Sequence, residues 1–120
     1  MTRLLDASVD ITSEQLTLTF TVSDSPPSTS TWALSTSFWA GIHGPGDHVG
    51  FKVLNGDAIR TWTFDLSDGG GQRNLTAAPR LSGMTWTLVL PRDAIRSQTG
   101  TWHADLDIDG HDAGCVQGTY

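Results

Sequence analysis

The chain has 120 residues, with 38% hydrophobic and 17% charged positions and a formal net charge of −6. That is enough for one domain with its own core and too little for two. Twelve Asp against one Glu, a single Lys at Lys52 and no Lys/Arg run leave good helix formers scarce and exclude the basic stripe that a nucleic-acid partner requires.

Period-two alternation recurs wherever the chain is apolar, which predicts strands throughout. Leu5, Ala7, Val9 and Ile11 share one face of a first strand, and Leu16, Leu18, Phe20 and Val22 one face of a second. The Thr12-Ser13-Glu14 connection makes these a hairpin. Residues 23–31, with two prolines among small polar residues, read as a loop between sheets. Trp32, Leu34, Phe38, Ala40 and Ile42 mark a long third strand, His43 to Asp47 a turn, and Val49, Phe51 and Val53 the returning strand.

After a turn at Asn55-Gly56-Asp57, the next strand carries Trp62, Phe64 and Leu66 on one face and stops at Asp68-Gly69-Gly70-Gly71. A weaker strand covers 74–77. Met84, Trp86, Leu88 and Leu90 form a strong one that Pro91 terminates. Arg92 to Arg96 predicts one helical turn. Trp102, Ala104, Leu106 and Ile108 then alternate with His103, Asp105, Asp107 and Asp109, before an Asp109-Gly110 turn and a last strand around Val116. The expected fold is all-β: one domain over 1–120, a single antiparallel β-sandwich or small flattened barrel of seven to nine strands. Its expected core is Leu18, Phe20, Trp32, Leu34, Phe51, Phe64, Trp86, Leu88, Trp102 and Leu106.

The order of these features resembles a known family. Leu4-Leu5-Asp6-Ala7-Ser8-Val9, the Leu16-to-Val22 strand and a Pro-containing loop into Trp32 are similar to the opening of DOMON-like and carbohydrate-binding-module-family-9-like β-sandwiches of exported bacterial proteins. Gly50-Phe51-Lys52-Val53 with Asn55-Gly56, the Trp62-to-Asp65 strand, Ser82-Gly83 before Thr85-Trp86-Thr87, and Leu90-Pro91-Arg92 continue the likeness. The resemblance implies a sandwich that binds a sugar or a haem, usually as an appended module. Haem ligation would need Met84 or Met1. Met84 shares its parity with Trp86 and Leu88, so it is expected in the core and no haem is expected.

Parity also singles out Trp39, which falls with Ser35, Ser37, Gly41 and His43 on the face opposite to Trp32, Leu34 and Phe38. Pairing Ile42 with Val49 across the turn would set Trp39 opposite Lys52, Gly41 opposite Gly50, and His43 opposite His48. The expected ligand-binding residues are therefore Trp39, Gly41, His43, His48, Gly50 and Lys52. A flat ring beside bare backbone, with polar groups around it, suits a carbohydrate or small planar ligand. The plainer alternative is that Trp39 covers a groove or meets a second copy in a homo-oligomer.

Four histidines, His43, His48, His103 and His111, invite a metal, but no H-x-H or H-E-x-x-H spacing is present. Asp105-Leu106-Asp107-Ile108-Asp109-Gly110 opens like a calcium loop, with Val116 where the bidentate Glu belongs. The expected reading is an acidic strand face that discourages edge pairing, with Asp107, Asp109 and Asp112 as a weak calcium site at most and no other cofactor. Cys115, with no basic neighbour, is expected to be a buried inert thiol. A missing G-x-S-x-G elbow and a lone Glu14 leave no catalytic set.

No apolar stretch approaches the roughly 18 residues of a membrane span, and the start lacks the basic-then-apolar order of a signal peptide. The expectation is a soluble chain, intracellular or a segment of an exported protein, with no membrane partner. Three function classes stay open: a noncatalytic module binding a carbohydrate or planar ligand, a small intracellular cyclase or isomerase acting on an apolar intermediate, and a structural component such as a virion or tail protein.

Overall fold

Alternating β-branched, aromatic and polar residues become strands in the computed structural model, which describes residues 2–24, 29–41, 46–66 and 71–120. Pro26 and Pro27, Ile42, His43 and the Asp68-Gly69-Gly70 stop lie outside the described residues. The strands are β1 (Leu4–Ile11), β2 (Gln15–Val22), β3 (Thr31–Trp39), β4 (Gly46–Leu54), β5 (Asp57–Asp65), β6 (Gln72–Leu75), β7 (Arg80–Ser82), β8 (Thr85–Pro91), β9 (Thr101–Ile108) and β10 (His111–Thr119). The expected helical turn is a 3-10 turn over Arg92–Ala94. The ten strands among the described residues exceed the expected seven to nine because β7 is only three residues long, too short to show an alternation. Among the described residues, no helix is long and apolar enough to cross a membrane.

Two antiparallel sheets pack face to face, one of order β1-β2-β8-β7 and one of order β10-β9-β3-β4-β5-β6. Hairpin chemistry sets the tight corners. Asn55 (φ 53°) with Gly56 (φ 85°), and Asp109 (φ 52°) with Gly110 (φ 86°), supply the two left-handed positions that a type I′ turn requires. The core lies between Leu16, Leu18, Phe20, Val22, Trp86, Leu88 and Leu90 on one side and Trp32, Leu34, Phe38, Val49, Phe51, Val53, Trp102, Ala104 and Leu106 on the other. Phe51 joins the layers, edge-on to Phe20 (ring centroids 5.7 Å apart) and tilted against Trp86 (5.5 Å).

Three bulges decide which side chains the core receives. In β1 the pairing steps from Leu4↔Val22 to Asp6↔Thr21, so Leu5 is the extra residue. Leu4 is buried and Leu5 is 50% exposed, the reverse of what alternation predicts. In β5 the pairing steps from Val53↔Ala58 to Lys52↔Arg60, leaving Ile59 unpaired. An unbroken register would set Trp62 opposite the buried Val49. The extra residue instead sets it opposite Gly50 and turns Trp62 and Phe64 outward. Buried Thr61 and Thr63 take the inward positions, with the Thr63 hydroxyl donating to the Ala94 carbonyl at 3.0 Å. Phe64 is therefore half-buried, not core.

In β10 the pairing steps from Asp112↔Asp107 to Cys115↔Asp105. The extra residue brings Cys115 out beside Asp105, and the thiol is exposed, not buried as expected. Gly114 serves this bulge with φ 121°, and a Cβ there would stand 3.2 Å from the Leu4 backbone nitrogen and carbonyl oxygen. Met84 is likewise corrected from core to 42% exposed, because it lies in the turn before β8 and not within the strand.

The segment after the 3-10 turn is tied to one end of the six-stranded sheet. Arg96 donates from its backbone N–H (2.9 Å) and Nε (3.0 Å) to Asp47, from Nη1 (3.0 Å) and Nη2 (2.8 Å) to Asp65, and from Nη2 to the Gly46 carbonyl (2.8 Å). Tyr120 closes the same end, edge-on to Phe38 and hydrogen-bonded through its hydroxyl to Ser97.

Candidate functional site

The outer face of the six-stranded sheet collects the polar and aromatic side chains that the core excludes. Its rows follow from the pairings. Gln117, His103, Ser37, His48, Phe64 and Gln72 form one row across the strands, and Cys115, Asp105, Ser35, Gly50, Trp62 and Asn74 the next. Asp112, Asp107, Ala33, Lys52 and Arg60 form a third. Small residues occupy the middle of the sheet: Ala33, Ser35 and Ser37 on β3, and Gly50 on β4. Gly50 is required there, since a Cβ would stand 2.6 Å from the Leu34 carbonyl oxygen and 2.7 Å from the Ser35 Cβ. At one end of this floor a groove of about 550 Å³ opens over Thr31 and Ala33. Lys52, Arg60, Trp62 and Gln72 border it on one side, and Asp107, Asp109 and Gly110 on the other.

Of the expected ligand residues, Lys52 borders this groove, Gly50 and His48 follow it along β4 on the same face, and Trp39 stands at the far end. The register of β3 and β4 differs from the expected one: Trp39 pairs with Gly46, Ser37 with His48, Ser35 with Gly50 and Ala33 with Lys52. The physical reason is strand length. β3 ends at Trp39 and β4 begins at Gly46, so the pairing slides by an even number of residues and the side chains from Trp32 to Trp39 keep their expected faces, whereas Ala40, expected on the core face, is exposed beyond the strand. Lys52 lies opposite Ala33, six residues from Trp39, and so about 20 Å away at ~3.3 Å per residue. Trp39 is 39% exposed and its ring covers Gly46, where any Cβ would fall inside the indole. Gly41 is exposed beyond the strand with φ 140°. His43 lies outside the described residues.

His48 does not face a second histidine across the turn. It packs edge-on to Trp62, with centroids 6.0 Å apart and planes at 66°. Partial burial holds its pKa below the ordinary value, with the Asp105 charge opposing the shift. Asp105 is displaced upward, mainly by its own desolvation, while His103 pulls it back and Asp112 adds to the rise.

The His48 shift makes a pH prediction. A histidine whose folded pKa is depressed takes up its proton more readily in the unfolded chain. Its contribution to stability is therefore complete above the ordinary value of about 6.5 and is lost as pH falls through the folded pKa. His48→Gln is expected to flatten the decline in denaturation midpoint between about pH 7 and pH 5. Parallel decline in both proteins would contradict it. Asp105 acts with the opposite sign and in a more acidic range, since protonation there favours the folded state.

The three aspartates considered for calcium occupy different local roles. Asp107 and Asp112 are cross-strand partners. The Asp109 carboxylate accepts from the Thr31 N–H at 2.8 Å and that of Asp112 from the Gly114 N–H at 3.2 Å. The potential metal-ligating cluster among the described residues is elsewhere on the face: His103, Asp105 and Cys115 place one ligand atom each within 4.8 Å of one another. His103 Nε2 and Asp105 Oδ1 are 3.1 Å apart.

Sequence reasoning placed His103 and Asp105 on an outer strand face without assigning them to a site, and missed Trp62, Arg60, Gln72 and Cys115 as members of this face. Local signals for the two bulges were present. The adjacent apolar pair Ala58-Ile59 breaks alternation, and Gly114 sits inside a strand pattern, where an isolated glycine marks a bulge. A scan against family models, a search of curated proteins and a search of solved structures each return no match.

Proposed function

We propose that the chain is a noncatalytic binding module that takes a carbohydrate along the groove of its six-stranded sheet, with Trp62 as the stacking wall. The observation that carries this reading is the groove itself. Its volume of about 550 Å³ falls within the ~300–1,000 Å³ of small-ligand sites, and its borders combine an indole with two cations and two carboxylates. A sugar offers an apolar C–H face and a rim of hydroxyls. The face suits Trp62, the Asp107 and Asp109 carboxylates accept from hydroxyls, and Lys52 and Arg60 donate to sugar oxygens. Trp39, four residues along the same face from the row of Trp62 and so about 13 Å away along the strand direction at ~3.3 Å per residue, would serve as a second stacking position for a longer chain. The DOMON-like and carbohydrate-binding-module-like resemblance supports the same ligand class.

Affinity electrophoresis and calorimetry against soluble neutral polysaccharides and their oligosaccharides test the reading. Burying roughly 100 Å² of indole at ~25 cal/mol per Å² contributes about 2.5 kcal/mol before ordering costs. Trp62→Ala is therefore expected to weaken binding about tenfold or more while circular dichroism shows the fold retained. Undiminished binding by that variant, or no retention of the wild-type protein by any glycan, would remove the reading.

A further inference from the structure

We infer that His103, Asp105 and Cys115 form a binding site for a borderline divalent transition metal, with Zn²⁺ as the ion that fits the donor set best. β9 carries His103 and Asp105 two residues apart, so both project from the outer face. β10 would bring Cys115 opposite the buried Ala104 in an unbroken register. The bulge at Gly114 instead seats it opposite Asp105. The exposed thiol, the imidazole and the carboxylate then hold ligand atoms within 4.8 Å of one another. A tetrahedral zinc with bonds of about 2.0–2.3 Å needs its ligand atoms about 3.5 Å apart, which small side-chain rotations on an open sheet surface can reach.

The chemistry of the donors selects the ion. A thiolate and an imidazole favour zinc and its neighbours, whereas calcium and magnesium require a shell of oxygens. Three protein ligands leave a fourth position facing solvent. Bound metal would pin the edge strand β10 to β9 at its bulge. The inference is independent of the carbohydrate reading, and its probe is the metal alone.

The test uses reduced, chelator-treated protein titrated with Zn²⁺ by calorimetry and with Co²⁺ as an optical reporter. The expected result is one equivalent of metal, a cobalt spectrum with tetrahedral d–d bands and a thiolate-to-metal charge-transfer band, and a higher thermal midpoint with zinc. Cys115→Ser is expected to abolish the charge-transfer band, and both Cys115→Ser and His103→Gln to weaken zinc binding about tenfold or more. His111→Gln, which alters a histidine outside the cluster, is expected to bind as the wild type does. Because Cys115 is exposed, the serine variant should keep the metal-free thermal midpoint, and His103→Gln provides a second reading should it not. The inference is overturned by no binding up to millimolar zinc, by a cobalt spectrum lacking the thiolate band, or by unchanged affinity in both variants.

Discussion

Trp86→Ala is expected to destabilise the domain by about 3–5 kcal/mol, the range for emptying a large aromatic from a core. Trp86 is 3% exposed and rests against Phe51, so its removal opens a cavity where the two sheets meet. Its indole N–H has no acceptor among the described residues. Trp86→Phe therefore loses packing but no hydrogen bond, and is expected to lose clearly less stability than the alanine variant. Trp39→Ala is the comparison: a ring 39% exposed at the end of β3 should cost no more than about 1 kcal/mol. Urea midpoints of the three variants measure the difference. Equal loss in Trp39→Ala and Trp86→Ala would show that Trp39 is a core residue.

Arg96→Ala is expected to cost about 2 kcal/mol. Breaking a buried ion pair by removing one partner typically costs ~3–5 kcal/mol, because a desolvated charge remains behind. Here the Asp47 side chain is 5% exposed but the Arg96 side chain is 44% exposed, so water can replace part of the guanidinium. The backbone N–H of residue 96 also still donates to Asp47 in the alanine variant. Both features place the effect below the full range. If the residual Asp47 charge is the source of the loss, Asp47→Asn in the Arg96→Ala background should recover part of it. Denaturant midpoints of the two single variants and the double variant decide this, and a double variant less stable than Arg96→Ala alone would assign the effect to lost hydrogen bonds.

The layered all-β architecture was legible because inward residues such as Leu16, Leu18, Phe20, Trp32, Leu34, Leu88 and Leu106 alternate without interruption, and burial of one face is the strongest constraint on a strand. The Asn55-Gly56 and Asp109-Gly110 corners were legible because few residue pairs tolerate two left-handed positions in succession. The candidate site was harder to read for the same physical reason that made the fold easy. A two-residue period identifies a strand but does not say which of its two faces is inside. In β5, aromatics alternate with threonines, and either set can be buried. Ile59 settled the choice in favour of Thr61 and Thr63, and put Trp62 on the outer face. Cys115 was misread because its surroundings in sequence are apolar and small, whereas its neighbours in space, His103 and Asp105, come from the adjoining strand. The β3–β4 register was out of reach for another reason: no local pattern fixed where β3 would stop.

The bulges at Ile59 and Gly114 also bear on how the surface can change through insertion and deletion. A residue gained inside a regular strand would exchange core and solvent positions along everything that follows it. At a bulge, the surplus residue is held outside the ladder, so losing it would straighten the strand while Trp62 stays opposite Gly50 and Cys115 opposite Asp105. The chain can thus vary in length by one residue at each of these joints without rewriting its interior, and the face that carries the groove is bracketed by the two places where such length changes are best absorbed.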